Sequence, residues 1–168
     1  MKGVGKSFGT VVALDDVRLQ LNSNEIHGLL GGNGAGKTTL MNVLYGLYKP
    51  NDGQIYLRDE EVEILCPKDA ISCGIGMVHQ HFLQIDSYTV TENIVLGTHL
   101  KNRPTLDLDQ EEQRIQDLSE RFGLEVSPSS LVEELPMGIR QRVEILKALY
   151  RGVDVLILDE PTTSLTPQ

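Results

Sequence analysis

No run in this chain approaches the ~20 apolar residues that a bilayer-spanning helix needs, so any membrane role must come through a partner. The opening residues, Met1-Lys2-Gly3-Val4-Gly5-Lys6, lack the apolar segment of a secretory signal. Basic residues are scarce as well: 15 Lys and Arg against 24 Asp and Glu leave a net charge of −9. Without a basic surplus to neutralise phosphates, a general nucleic-acid binder is disfavoured. Two cysteines, Cys66 and Cys73, are too few for a disulfide framework and lack metal-site spacing. They read as reduced, buried thiols of a cytosolic protein. No Gly-x-Ser-x-Gly arrangement offers a nucleophile, and no internal repeat or low-complexity segment stands out. What is left is an ordinary globular composition: 168 residues, 40% apolar and 23% charged, fit one domain with a real core.

Against that plain background one run is distinctive: Gly31-Gly32-Asn33-Gly34-Ala35-Gly36-Lys37-Thr38-Thr39. It follows the apolar stretch Ile26-His27-Gly28-Leu29-Leu30 and precedes the helix-like Leu40-Met41-Asn42-Val43-Leu44. Strand, glycine-rich loop, Lys-Thr and helix, in that order, form the arrangement that grips a nucleotide triphosphate. Glycines let successive N–H groups turn inward on phosphates with no Cβ in the way. The helix start behind them adds N–H groups and partial positive charge. Lys37 is expected to reach the β- and γ-phosphates, and the Thr38 hydroxyl to ligate Mg²⁺.

Around this loop the chain reads as alternating strands and helices. Val11 to Leu21 alternates Val17, Leu19 and Leu21 with Arg18 and Gln20, the period of a half-buried strand. Thr38 to Leu47 predicts a helix with Leu40, Val43, Leu44 and Leu47 on one face. Gln54 to Leu57 follows a turn at Pro50-Asn51-Asp52-Gly53 as a return strand. Pro67 to Ser72 predicts a short helix, and Gly74 to His79 a buried strand. The pattern over 91–135 turns helical, with Ile115, Leu118 and Phe122 at helical spacing in Asp109 to Phe122. Gly138 to Leu149 is a further helix, anchored by Val143, Ile145, Leu146 and Leu149. Its first turn carries Arg140 and Arg142 and no acid, which suits an approaching anion better than it suits the macrodipole.

Val155-Leu156-Ile157-Leu158-Asp159-Glu160 then places two acids at the end of an apolar strand. In α/β folds ligand groups gather at such strand ends. Asp159 is expected in the Mg²⁺ shell and Glu160 as general base or water polariser. Gln80, just after the strand ending at His79, is a further candidate for sensing metal and water; His79 and His81 flank it but alternate along the chain.

The order of these motifs resembles the ATP-binding subunit of an ABC transporter over nearly the whole chain. The likeness is carried by Lys6-Ser7-Phe8-Gly9, by Gly31 to Thr39 and by Val78-His79-Gln80-His81-Phe82. It continues in Leu135-Pro136-Met137-Gly138-Ile139-Arg140-Gln141-Arg142-Val143 and in Leu156-Ile157-Leu158-Asp159-Glu160-Pro161-Thr162. More narrowly, 77–82 and 135–152 resemble the first half of the double ATPase subunits of bacterial nucleoside and simple-sugar importers. The resemblance implies an α/β, P-loop NTPase core of ABC ATPase type. It would have N-terminal antiparallel strands, a core over 1–90 and 136–168, and a helical subdomain over 91–135. It also implies roles. Phe8 would stack on adenine. Gln80 would join Mg²⁺ to the loop Leu83 to Val90, where transport subunits insert a coupling helix. Leu135, Pro136, Met137, Gly138 and Ile139 would form the signature that closes over the γ-phosphate held by a second ATP-binding domain, in a head-to-tail dimer. ATP and Mg²⁺ are the implied cofactors and transmembrane permease subunits the implied partners, with no nucleic acid. The implied place is peripheral, on the cytoplasmic face of the cell membrane.

Four departures qualify the likeness. The usual Leu-Ser-Gly-Gly-Gln signature is here Leu135-Pro136-Met137-Gly138-Ile139, and Pro136 supplies neither hydroxyl nor N–H. By analogy with an oxyanion hole, one lost donor costs about 2.7–4 kcal/mol of transition-state stabilisation; the N–H groups of Met137, Gly138 and Ile139 are expected to remain. Gly32 replaces a residue often Pro or Glu, and the usual Ser-Ala-Leu-Asp is Thr163-Ser164-Leu165-Thr166. The chain also stops at Gln168, short of the strand and histidine that family members carry, so it reads as C-terminally truncated. Two competing readings follow: a non-membrane member of the same fold acting on nucleic acid or ribosomes, and a nucleotide-binding module without turnover.

Overall fold

The computed structural model describes residues 1–79, 82–98 and 107–161, which form two compact units, 1–75 and 76–168. In the first unit, β1 (Lys2–Phe8), β2 (Val11–Val17), β3 (Asp52–Leu57) and β4 (Glu60–Val62) make an antiparallel sheet in the order β2-β1-β3-β4. Phe8 pairs with Val11 across the first hairpin, and Leu57 with Glu60 across the last. Arg58 and Asp59 fill that last turn with φ of 52° and 66°. Positive φ at both central residues is the type I′ geometry whose twist matches the flanking strands.

The helix α1 (Lys37–Leu44) lies in this unit with Leu40, Val43 and Leu44 buried, alongside Val4, Leu14 and Ile55. It ends three residues before the sequence suggests, and Leu47 is 45% exposed rather than on the buried face. Gly46 at φ 78° explains the stop, since a left-handed residue just past the helix closes it. β2 likewise ends at Val17, not Leu21, although the chain stays beside the start of β1: the Leu19 N–H donates to the Met1 carbonyl at 3.2 Å and the Met1 ammonium to the Leu19 carbonyl at 2.7 Å. Helix α2 (Pro67–Ser72) appears as expected, with Pro67 in its first turn. Cys66 caps it, its thiol donating to the Asp69 carboxylate at 3.3 Å. That bond, with backbone N–H groups of Leu65 and Cys66, holds Asp69 below the usual carboxylate range. Both cysteines are half-buried, not buried.

One expected strand is absent. Ile26 to Leu30 has no ladder partner among the described residues, and Ile26 and Leu30 are fully or almost fully exposed. An apolar run becomes a strand only when neighbours take its N–H and C=O groups and its side chains are covered; here it gains neither.

Among the described residues, the second unit holds most of β5 (Ile75–Val78), paired with β6 (Val155–Leu158), and the α-helices α3 (Val90–Val95), α4 (Leu108–Arg121) and α5 (Met137–Tyr150). β5 is buried throughout, whereas in β6 Ile157 is buried and Leu158 exposed. The helices share one apolar core of Val90, Ile94, Ile115, Val132, Val143 and Leu146. Phe122, expected to continue the α4 stripe, is instead its C-cap and 48% exposed. Thr89 and Glu92 form a reciprocal capping box at the start of α3: the Glu92 N–H donates to Thr89 Oγ1 at 3.2 Å and the Thr89 N–H to Glu92 Oε2 at 2.8 Å.

Within this unit the Tyr150 hydroxyl donates to buried Glu111 at 2.6 Å. Burial first, and then the Glu111 carboxylate, push the phenol up from 10.0 to about 12. A folded-state value above the unfolded one gives stability that is complete below pH about 10 and lost as pH rises through about 12. The melting temperature is therefore expected to fall more steeply between those values in the native protein than in Tyr150→Phe. Parallel thermal melts of the two would check this.

Candidate nucleotide site

The phosphate loop belongs to the first unit. Residues 31–35 are exposed, and the Ala35 N–H turns back to the Gly32 carbonyl at 3.3 Å. Gly34 and Gly36 hold φ of 77° and 85°, a backbone that L side chains rarely adopt. Gly36 is the N-cap of α1, and no side chain caps that end. No acid occupies the first turn of α1 either, so neither device that usually quiets a helix N-terminus is present. The Lys37 ammonium folds back over the loop, donating to the carbonyls of Gly31 at 2.8 Å and Gly32 at 2.9 Å. This places a cation directly against the loop's inner turn. A Cβ on Gly31 would stand 3.3 Å from the Ala35 Cβ and 3.7 Å from the Lys37 stem, so glycine keeps the cradle open. Asn33, Thr38 and Thr39 complete the run, Thr38 in the first turn of the helix.

Phe8 closes β1 and is 44% exposed, with its ring edge-to-face on Tyr48 at 5.1 Å and Lys6 Nζ 5.2 Å from its centroid. Sequence reasoning misses Tyr48 as a companion of Phe8. It sits just past α1, and nothing local points it at residue 8.

In the second unit Asp159 and Glu160 follow β6. The Asp159 N–H donates to the Val78 carbonyl at 3.1 Å, which carries the β5–β6 pairing to the edge of the acidic pair. Glu160 is exposed with φ 49°. For a residue with a side chain this costs on the order of 1–3 kcal/mol, and such strain gathers at functional sites. Gln80, expected at the metal, lies outside the described residues, as do His81 and the stretch 162–168.

The segment 135–139 forms the start of α5. Pro136 is its N-cap, at φ −58° and ψ 151°, and its carbonyl accepts from the N–H groups of Ile139 at 2.9 Å and Arg140 at 3.0 Å. Of the three N–H groups expected to face outward, Ile139 is thus already engaged. Met137 and Gly138 are left by helical geometry, with Met137 53% exposed. The anions anticipated for the basic first turn are the protein's own. Arg140 pairs with Asp86 at 2.8 Å, and Arg142 with Glu125 at 2.9 Å and with the Leu124 carbonyl at 3.0 Å.

The sequence pattern of the family described as ABC transporter matches residues 14–163. The chain belongs to the ABC transporter family. It is 51% identical over 167 residues to the guanosine import ATP-binding protein NupO of Bacillus subtilis (strain 168), a match covering 99% of this chain and 33% of that protein. The chain therefore spans about a third of the length of the curated relatives it matches. Among solved structures, MJ1267, an ATP-binding cassette of an ABC transporter in its ADP conformation, superposes with a TM-score of 0.84 at 26% identity, covering 99% of this chain and 69% of that one. The dimeric bacterial ABC transporter cassette MJ0796 superposes at 0.80 and 26%, covering 98% and 75%. The fold is thus that of the ABC ATPase cassettes.

For an ABC cassette the donors present suit the expected ligands. Thr38 and Asp159 offer a hydroxyl and a carboxylate, the oxygen chemistry that Mg²⁺ selects. The glycine loop, the uncapped α1 start and Lys37 suit a polyphosphate. The loop and Phe8 fall in one compact unit, and Asp159, Glu160 and the signature in the other.

Proposed function

We propose that this chain binds and hydrolyses MgATP to drive import of a nucleoside through an ABC transporter. The observation that carries the reading is the phosphate loop itself: an uncapped helix start behind two left-handed glycines, with Lys37 held against the loop. Gly31 to Thr39 cradle the phosphates through backbone N–H groups, and Lys37 balances their charge. Thr38, Asp159 and Gln80 are the residues that would hold Mg²⁺, which when bound neutralises charge on the phosphate oxygens. Glu160 polarises the attacking water, and Phe8 offers a ring face to the base. Met137 and Gly138 turn N–H groups toward the γ-phosphate of a second ATP-binding domain, and the dimeric state of the MJ0796 cassette supports such a pairing.

The loop after Gln80 exposes Leu83 (78%), Ile85 and Tyr88, which suit the apolar face of a permease helix. Among the described residues no helix is long and apolar enough to cross a membrane, so attachment at the cytoplasmic face would run through that loop. The nucleoside assignment rests on the name of the 51% identical guanosine importer. The test uses the full-length protein reconstituted with its permease and solute-binding partner. Guanosine is expected to stimulate MgATP hydrolysis severalfold. Stimulation by a simple sugar instead would move the solute class, and stimulation by RNA or ribosomes would overturn the transport reading.

A further inference from the structure

One turn into α5, Gln141 is a buried polar residue, 8% exposed, and its side-chain nitrogen donates to the Pro161 carbonyl at 2.5 Å. Buried amides are retained where their hydrogen bonds are made, so this contact fixes where the chain runs after β6. On the other side of Glu160, the Asp159 N–H is bound to Val78. Glu160 is therefore held between two anchored peptides. They flank a φ of 49° at Glu160, a value that a residue with a side chain avoids and that a following proline further disfavours.

We propose that Gln141 is a positioning residue for Glu160: its bond to Pro161 holds the Glu160 backbone in the left-handed turn that aims the carboxylate. This rests on the reading of Glu160 as the group that polarises water. The consequence reaches further, because α5 also presents Met137 and Gly138 at its tip. One rigid helix then sets both the aim of this chain's own acid and the direction of the N–H groups offered to a partner's nucleotide. A tilt of α5 that moves one moves the other.

The experiment compares Gln141→Leu, Gln141→Glu and Glu160→Gln in the full-length protein, reading kcat, KM and ATP binding. Gln141→Leu keeps the bulk and removes the donor. It is expected to lower kcat by about 10- to 100-fold, toward the Glu160→Gln value, with KM within about 2-fold of native. Gln141→Glu cannot donate when ionised and can when protonated. Its kcat relative to native should therefore rise as pH falls from about 8 to about 6. A thermal melt of Gln141→Glu at each pH separates loss of fold by the buried charge from loss of aim, and this comparison stands even if Gln141→Leu fails to fold. Native kcat in Gln141→Leu beside an inactive Glu160→Gln would overturn the positioning role alone. A kcat ratio in Gln141→Glu that stays flat through the pH at which the introduced carboxyl is seen to protonate would do the same. Full turnover in Glu160→Gln would overturn the role of Glu160, and the positioning role with it.

Discussion

Glu160→Gln is expected to cut MgATP turnover in the full-length protein by about 10²- to 10⁴-fold, the range a positioned general base contributes. The substitution is nearly isosteric, so the turn at φ 49° and the anchors at Val78 and Pro161 stay in place. What disappears is the ability to take a proton or polarise water with a full negative charge. The glycine loop and Lys37 are untouched, so ATP should bind as before and accumulate unhydrolysed. Single-turnover chase of bound nucleotide measures both quantities at once. Undiminished turnover would mean that the water is activated elsewhere and that β6 ends in acids for another reason.

Gly36→Ala carries the second large effect. A Cβ there would lie 2.6 Å from the Ala13 carbonyl oxygen and 3.0 Å from a Leu14 methyl, both on β2. The backbone also sits at φ 85°, where an L residue is strained by about 1–3 kcal/mol. The nearer of these neighbours is backbone rather than the free end of a flexible side chain, so β2 or the loop has to move. The sum of strain and overpacking should destabilise by about 2–5 kcal/mol and weaken ATP binding at least 10-fold. Denaturant melts and equilibrium ATP binding would report the two losses separately. Gly9→Ala, in the turn between β1 and β2, is the control: its φ of 60° carries similar strain, and nothing lies within 4 Å of the added methyl.

Much of this was legible because it is written locally. The glycine run before Lys37 marks a phosphate loop running into α1, and Pro67 marks the first turn of α2. The apolar run at 75–78 is a strand buried on both faces. Other features depend on residues far apart in the chain. β4 is three residues, two of them glutamates, and only its pairing with β3 makes it a strand. The run 26–30 has every local mark of a strand and is not one, because pairing is a property of neighbours. In the candidate site, the acids and the phosphate loop were visible as motifs, whereas the Asp86–Arg140 pair spans 54 residues and the Gln141–Pro161 bond spans 20. A signal for Gln141 did exist. It lies two turns before buried Ala148, so an amide falls on the covered side of α5, where an apolar residue would be the default.

The segment 84–91, which runs from the loop into the start of α3, has a consequence for timing. Its backbone is threaded into the second unit by bonds from Val90 to Ser130, Thr91 to Pro128, Val132 to Tyr88 and Glu133 to Asp86. Buried Asn93 adds both its carbonyl and its amide to Ile85. A surface loop would ordinarily exchange its amide protons in seconds. The bonded amides of Ile85, Val90 and Thr91, and those of Val132 and Glu133 that donate to this segment, should exchange only when the helical core opens, on the slow clock of α3 and α5.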